Sequence, residues 1–287
     1  MRVSYYPGCS LEGTAVDYAA SIAGVASLLN LELAELEDWN CCGATAAHSI
    51  HQRLALELPA RNLALAQAAG LDLVAPCALC FNRLKVAEKA LLGPMGKELG
   101  INYRGGLKIW DLLDFLTQES YLHQIAAKVV KPLTGLKAVS YYGCLVARPP
   151  KVTDKGDYEN PRNLEKLLTV LGATPLDWSF KTDCCGAGLA VARPDIIDTL
   201  VTRLYERALR AGAECFVVSC QMCQANLDLP QRRISRKTGR NYYLPVFYFT
   251  ELIGLALDHP EVPRWLTAHL VNPRPLLTKL GLLSLAG

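Results

Sequence analysis

Cys41-Cys42-Gly43-Ala44 and Cys184-Cys185-Gly186-Ala187 repeat the same four residues 143 positions apart. Thirty-five positions after the second Cys of each block, an apolar run ends in a Cys-x-x-Cys. In the first half Leu71-Asp72-Leu73-Val74-Ala75 leads to Cys77 and Cys80, and in the second Glu214-Cys215-Phe216-Val217-Val218-Ser219 leads to Cys220 and Cys223. Ahead of each block a Tyr-bearing run ends at a lone Cys, Val3-Ser4-Tyr5-Tyr6-Pro7-Gly8-Cys9 and Val139-Ser140-Tyr141-Tyr142-Gly143-Cys144. Cys77 to Cys220 is again 143 positions, but Cys9 to Cys144 is 135. The shortfall of eight predicts an insertion in the second half, and residues 148–160 have the composition of a long loop. A repeat of this kind sets the architecture.

The pattern around the cysteines repeats as well. Short strands rich in Val and Tyr are predicted at Val3–Tyr6 and Ala138–Tyr142. Helices follow over about 15–29 and 161–171, the second opened by Pro161 at a first helical position. Beyond each CCG, helices are predicted over about 54–69 and 194–211, ending at Gly70 and Gly212 as C-caps. Ile109–Leu116 and Val246–Ile253 form matching closing segments. Strands alternating with helices predict an α/β fold with mostly parallel sheets. The expectation is two tandem lobes related by a pseudo-twofold, each a small sheet flanked by helices. Residues 1–136 form the first, 137–258 the second, and 259–287 a cysteine-free segment that completes the core or serves as a docking tail.

Among 287 residues, 51% are hydrophobic and the net charge is +3, which describes a globular chain without a phosphate-binding stripe. Nucleic acid is therefore not an expected partner. No apolar run is long enough for a membrane span, and the N-terminus lacks the pattern of a signal peptide. Eleven cysteines without an export signal argue for reduced thiols in the cytoplasm, where short Cys spacings mean metal or redox chemistry.

A Cys-x-x-Cys directly after a buried strand places both thiols at a helix N-terminus, which favours thiolate. Such strand ends are where open α/β sheets bind ligands. Adjacent cysteines on an extended strand point to opposite faces, so Cys41 with Cys42, and Cys184 with Cys185, converge only in a turn. Gly43 and Gly186 supply the backbone angle for it. A structural zinc ion, a cubane or a 2Fe–2S cluster needs four ligands, whereas each half offers five. Either one thiol is spare in both copies or a polynuclear cluster takes all five. Cys215, without a counterpart, reads as a small core residue.

Two copies of Cys, then Cys-Cys-Gly, then Cys-x-x-Cys carry the signature of the CCG (cysteine-rich) domain family. Tyr5-Tyr6-Pro7-Gly8-Cys9-Ser10-Leu11-Glu12-Gly13-Thr14 and Asp38-Trp39-Asn40-Cys41-Cys42-Gly43-Ala44-Thr45-Ala46-Ala47-His48 closely resemble the B subunits of CoB–CoM heterodisulfide reductases. The resemblance implies two noncubane 4Fe–4S clusters. One would be held by Cys9, Cys41, Cys42, Cys77 and Cys80, the other by Cys144, Cys184, Cys185, Cys220 and Cys223. It also implies a disulfide substrate between the clusters. Electrons would come from a small ferredoxin-like iron–sulfur protein of the same complex, itself fed by a flavin-containing one. The chain has no ferredoxin cysteine run and no Gly-rich dinucleotide fingerprint, so no flavin or nicotinamide is expected in it.

His48, three residues before His51 on one expected helical face and opposite Val191 in the second half, is a candidate proton donor or substrate contact. Arg83 and Lys85, just past the first Cys-x-x-Cys, are candidates for attracting an anionic substrate. His123, His259 and His269 read as surface residues. Two other readings stay open. The clusters could pass electrons in a lactate-, glycolate- or quinone-linked oxidoreductase, or act on lipoyl-bound sulfur in a sulfur-oxidation complex. Alternatively, the thiols could be zinc clamps.

Overall fold

A computed structural model describes residues 1–284. Among the described residues eight strands form two sheets. The first comprises β1 (Arg2–Tyr5), β2 (Glu32–Glu35), β3 (Leu73–Ala75) and β4 (Ile109–Asp111); the second comprises β5 (Lys137–Tyr141), β6 (Thr174–Leu176), β7 (Cys215–Val218) and β8 (Val246–Tyr248). The strand orders are β2-β1-β3-β4 and β6-β5-β7-β8, with every pairing parallel. The fold is therefore α/β, with one topology executed twice.

The principal helices are α1 (Val16–Leu28), α2 (Leu54–Ala69), α3 (Ala78–Leu92), α4 (Leu112–Leu116), α5 (Asn163–Val170), α6 (Pro194–Arg210), α7 (Gln221–Asp228) and α8 (Phe249–Ala256). Their ends follow the local chemistry. Gly70 stops α2 in the left-handed region at φ 70°, its N–H returning to the carbonyls of Ala66 and Gln67. Pro194 opens α6, where a missing N–H costs nothing, and Arg207 and Arg210 face the negative end of its dipole.

Four features differ from the sequence reading. Pro161, expected as the first residue of a helix, lies ahead of α5, which begins at Asn163 after its cap residue Arg162. Edge strands β2 and β6 were not expected; they have four and three residues, and β6 contains Pro175, which an edge tolerates. Each closing segment is a three-residue strand followed by a helix, with Asp111 and Tyr248 at the junctions. The inserted loop contains a helical turn at Pro150–Thr153.

The lobes interlock reciprocally. Helix α1 of the first lobe packs against α8 of the second, and α5 of the second against α4 of the first, as an approximate twofold requires. At the first seam Tyr18 stacks on Tyr248 at 4.1 Å and Ser21 Oγ lies 2.6 Å from Thr250 Oγ1. At the second, Asn163 Nδ2 donates to Asp114 Oδ1 at 2.6 Å. The buried apolar side chains of both lobes form one continuous core.

The segment after residue 258 is part of that core over its described length. Trp265 lies where a Cβ on Gly24 of α1 or Gly254 of α8 would collide with it, at 2.6 and 2.4 Å, so the indole sits against one helix from each lobe. Leu276, Leu277 and Leu282 are buried too; residues 285–287 of the same segment lie outside the described residues. Among the described residues no helix is long and apolar enough to cross a membrane.

Candidate metal centre

Each half builds its thiol site from three backbone devices. The first is a left-handed glycine before the lone Cys, Gly8 at φ 74° and Gly143 at φ 69°. A Cβ on Gly8 would stand 2.8 Å from Cys80 Sγ, and one on Gly143 would stand 2.8 Å from Cys223 Sγ. Glycine is needed there because the lone-Cys loop passes directly over the last thiol of the Cys-x-x-Cys.

The second device is the CCG turn. Gly43 and Gly186 have φ of 69° and 77°, and their N–H groups point back at Cys41 Sγ (3.5 Å) and Cys184 Sγ (3.2 Å). The peptide before each turn is pinned by a buried phenol: Tyr6 donates to Asn40 O at 2.8 Å and Tyr141 to Asp183 O at 2.6 Å. Burial and the surrounding sulfurs push both phenols far up, so they remain neutral donors. This pairs Tyr6 with Tyr141, one residue out of step with the visible Val-Ser-Tyr-Tyr repeat. The equivalence is counted back from the lone cysteines, and Pro7 accounts for the slip.

The third device is the strand-to-helix turn that puts Cys77 at the N-cap of α3 and Cys220 at the N-cap of α7. Cys77 Sγ accepts from the N–H of Cys80 at 3.5 Å.

These devices gather the sulfurs. Cys9 and Cys41 lie 3.7 Å apart, Cys42 and Cys80 3.4 Å, and Cys185 and Cys223 3.9 Å. Cys144 hydrogen-bonds Cys184. All eleven cysteines are free thiols. Two thiolates at about 2.3 Å from one tetrahedral metal stand roughly 3.8 Å apart, so the pair spacings suit shared metal. A donor set made only of sulfur suits soft or thiophilic metals, iron–sulfur clusters included. Cys215 lies in the middle of the second sheet, fully buried, away from these groups.

Protons are shared unequally within the pairs. The hydrogen bond from Cys80 lowers Cys42 to about 7 against the effect of burial, helped by the charge of Arg83. Cys144 lowers Cys184 to about 6 in the same way, and its own thiol rises. The hydrogen bonds from Cys220 and Cys80 pull Cys77 down. Cys223 pulls Cys220 down, but Cys77 and burial leave it raised at about 12. The Cys77–Cys220 interaction crosses between the lobes, so the two thiol groups meet at one boundary.

The other anticipated residues are placed as follows. His48 is exposed on a single turn, Ala47–Ile50, and His51 does not share its face because its backbone is already extended there. Arg83 is half-buried, donating to Asn82 Oδ1 at 2.8 Å, with its charge felt by Cys42. Lys85 is only 8% exposed; its ammonium binds Glu88, and Asp154 of the other lobe at 2.8 Å. It clasps the insertion to α3, beside Asn82 Nδ2, which donates to the carbonyls of Leu145 and Arg148. His269, read as a surface residue, is buried against Glu251 at 2.9 Å, because the final segment folds into the core.

One residue near the site escaped the sequence reading. Asp111 ends β4, is buried, and accepts from the N–H of Leu113. Burial raises its carboxyl to about 7, Lys155 opposing and Cys220 adding to the rise. The available signal was the mismatch of Asp111 with Tyr248 in otherwise matching closing segments.

The fold and site define a class: a two-lobed parallel α/β protein carrying a duplicated five-thiol centre at the carboxyl ends of its strands. The cysteine-rich CCG domain matches residues 3–85 and 138–228, and the chain belongs to that family. It is 30% identical to the membrane anchor of the 8-methylmenaquinol:fumarate reductase of Wolinella succinogenes, over 97% of this chain and 98% of that protein. It is 27% identical to the B subunit of the ferredoxin/F420H2-dependent CoB–CoM heterodisulfide reductase of Methanosarcina acetivorans, over 89% of each. It is also 30% identical to the B subunit of the ferredoxin:CoB–CoM heterodisulfide reductase of Methanosarcina mazei, over 80% of each. Among solved structures, a hypothetical protein from Helicobacter pylori shares the fold with a TM-score of 0.71 at 12% identity, covering 94% of this chain and 52% of its own.

Proposed function

We propose that this chain is the iron–sulfur catalytic subunit of a heterodisulfide-reductase-type complex. In this reading Cys9, Cys41, Cys42, Cys77 and Cys80 hold one noncubane 4Fe–4S cluster, and Cys144, Cys184, Cys185, Cys220 and Cys223 hold the other. The observation that carries it is the duplicated gathering of thiols, one group in each lobe, with Cys9 and Cys41 3.7 Å apart, Cys42 and Cys80 3.4 Å, and Cys185 and Cys223 3.9 Å. A disulfide bound there takes up two electrons and two protons and leaves as two thiols. Bound clusters supply the electrons one at a time, which is the chemistry this chain's side chains lack.

The chain's own residues do the rest. The glycines and pinned turns hold the thiols in place, and the apolar core behind them excludes water. Arg83 offers positive charge beside Cys42, and His48 stands at the exposed rim as a proton donor. Lys85 is spent on two carboxylates, so its part is to keep the lobes in register. Electrons arrive from a ferredoxin-like iron–sulfur partner and, behind it, a flavin-containing one, with the complex in the cytoplasm. The relatives named as reductase B subunits support the assignment.

A second reading is favoured by one observation, the near full-length match to part of a quinol-linked fumarate reductase. In that reading the same clusters relay electrons between quinol and a partner enzyme. One set of measurements separates the two. Iron and acid-labile sulfide are quantified in anaerobically purified protein and EPR spectra taken, followed by turnover with reduced viologen and a panel of disulfides. The first reading expects about eight irons per chain and thiol release. Cluster reduction by a menaquinol with no disulfide turnover would sink it in favour of the second, and zinc without iron would remove both.

A further inference from the structure

The side of the first lobe next to Cys9 carries a groove that the thiol chemistry does not use. Helix α1 and strand β2 form its walls and enclose about 470 Å³, within the roughly 300–1,000 Å³ of small-molecule sites. Leu11, Ile22 and Leu33 give it an apolar floor, and Tyr5, Glu12 and Glu35 supply its polar groups. Pro7 and Leu11 both line it and stand two residues before and two after Cys9, which is exposed. Two residues of chain span at most about 7 Å, so the groove begins within that reach of the first thiol group.

The polar groups of the groove are accessible and uncommitted. Tyr5 is 9% exposed, and its hydroxyl has no hydrogen bond among the described residues. Burial and the charge of Glu35 push the phenol up, so it stays a neutral donor. Glu35 is the register partner of Tyr5 on β2, and Trp39 Nε1 donates to its Oε1 at 3.0 Å. Glu12 and Glu35 are both exposed, and neither is in an ion pair among the described residues. The duplicated fold does not require these groups. Tyr5 pairs with Val74, three residues before Cys77, and Ser140 pairs with Val217, three before Cys220, so Ser140 holds the place of Tyr5 in the second lobe. Ala147, three residues past Cys144, holds the place of Glu12. The lining has two carboxylates and, among the described residues, no Lys, Arg or His, which repels anions and suits a neutral ligand with hydroxyl donors.

We propose that this groove binds the head group of a quinol, an apolar ring with two opposed hydroxyls. The ring lies on the apolar floor, Tyr5 donates to one ring oxygen, and Glu12 and Glu35 accept from the hydroxyls. Oxidation to the quinone breaks two O–H bonds and releases two protons and two electrons. The carboxylates are placed to take the protons and pass them to water; the electrons are the share of the iron–sulfur centres. The inference rests on the quinol-linked reading, and it adds where on this chain the quinol binds and which residues recognise it.

The test is anaerobic calorimetric titration of the oxidised, cluster-loaded protein with 2,3-dimethyl-1,4-naphthoquinone, whose methyl groups block addition of thiols to the ring. No electrons move between an oxidised protein and a quinone, so the heat reports binding alone. Tyr5→Phe removes the donor and is expected to weaken binding roughly fivefold, the value of a neutral hydrogen bond. Ala23 is exposed on α1 and lines the groove, so Ala23→Trp fills it from outside the core and should weaken binding by about tenfold or more. No binding by the unaltered protein, or unchanged affinity in either variant, overturns the proposal. Stopped-flow reduction by the matching quinol, read as bleaching of the cluster absorbance, tests the carboxylates: Glu12→Gln should slow it by about tenfold or more, and an unchanged rate overturns their part. The same measurement separates this inference from the reading beneath it. Quinone binding without any reduction by the quinol counts against the quinol-linked reading alone, and reduction that Ala23→Trp leaves at full rate counts against this inference alone.

Discussion

Gly143 shows how tightly single residues constrain the centre. Its φ of 69° is costly for any side chain, and a Cβ there would press on Cys223 Sγ. Gly70 has the same kind of backbone, φ 70°, with nothing within 4 Å of its missing Cβ. On the proposed two-cluster reading, Gly143→Ala is therefore expected to lose about half the iron per chain, whereas Gly70→Ala keeps it and loses only stability. Iron analysis of the two variants checks this, and equal iron contents would show that the collision is relieved elsewhere. The cysteines and their glycines were legible in the sequence, because backbone chemistry of this kind depends on residue type and spacing. The roles of Asp111 and Lys85 were not. An aspartate is an N-cap, an ion-pair partner or an open acceptor according to what packs around it, and for Asp111 that is a different lobe.

Among the elements, the helices after the lone cysteines and after the CCG blocks were legible to within two residues or so, whereas α3 was expected only as a helix following the Cys-x-x-Cys, without bounds. Helix α2 was expected over 54–69 and runs Leu54–Ala69, since its end is written as Gly70. The edge strands β2 and β6 were not legible: three or four residues carry too little periodicity, and only the neighbouring strand makes them strands. The contact of α1 with α8 was equally hidden. Their meeting point is marked by Gly24 and Gly254, which leave room for Trp265. Trp265→Ala removes a buried indole that touches both lobes, and about 3–5 kcal/mol of stability is expected to go with it. Urea unfolding measures the loss. A change below about 1 kcal/mol would mean that the final segment only covers the seam.

At the scale of the whole molecule, one buried polar cluster joins three parts of the chain. Asp17 comes from the first lobe, Glu251 and Asp228 from the second, and His269 from the final segment. Burial alone would lower the imidazole, but Glu251, by charge and hydrogen bond, with Asp228 and Asp17 behind it, raises it to about 9. A histidine whose folded value lies above its unfolded value of about 6.5 stabilises fully below that pH and loses the contribution as pH climbs through 9. Folding stability is thus expected to fall by up to about 3 kcal/mol between pH 6.5 and 9, and His269→Gln to flatten that slope while lowering stability at pH 6. Denaturation midpoints across this range test it. A slope unchanged in His269→Gln would assign the dependence to other groups.

Taken by itself, the sequence determined the duplication, the α/β class, the ten repeated thiols and the glycines that turn the chain beneath them. All of these are written as residue type and interval along one strand of text. Only the tertiary structure decided that Cys77 faces Cys220, that tyrosines from both lobes fill one seam, and that His269 is buried. Those outcomes depend on which surfaces of two similar lobes meet, and that is settled by packing between residues more than 200 positions apart, such as Tyr18 with Ser219 and Ser21 with Thr250.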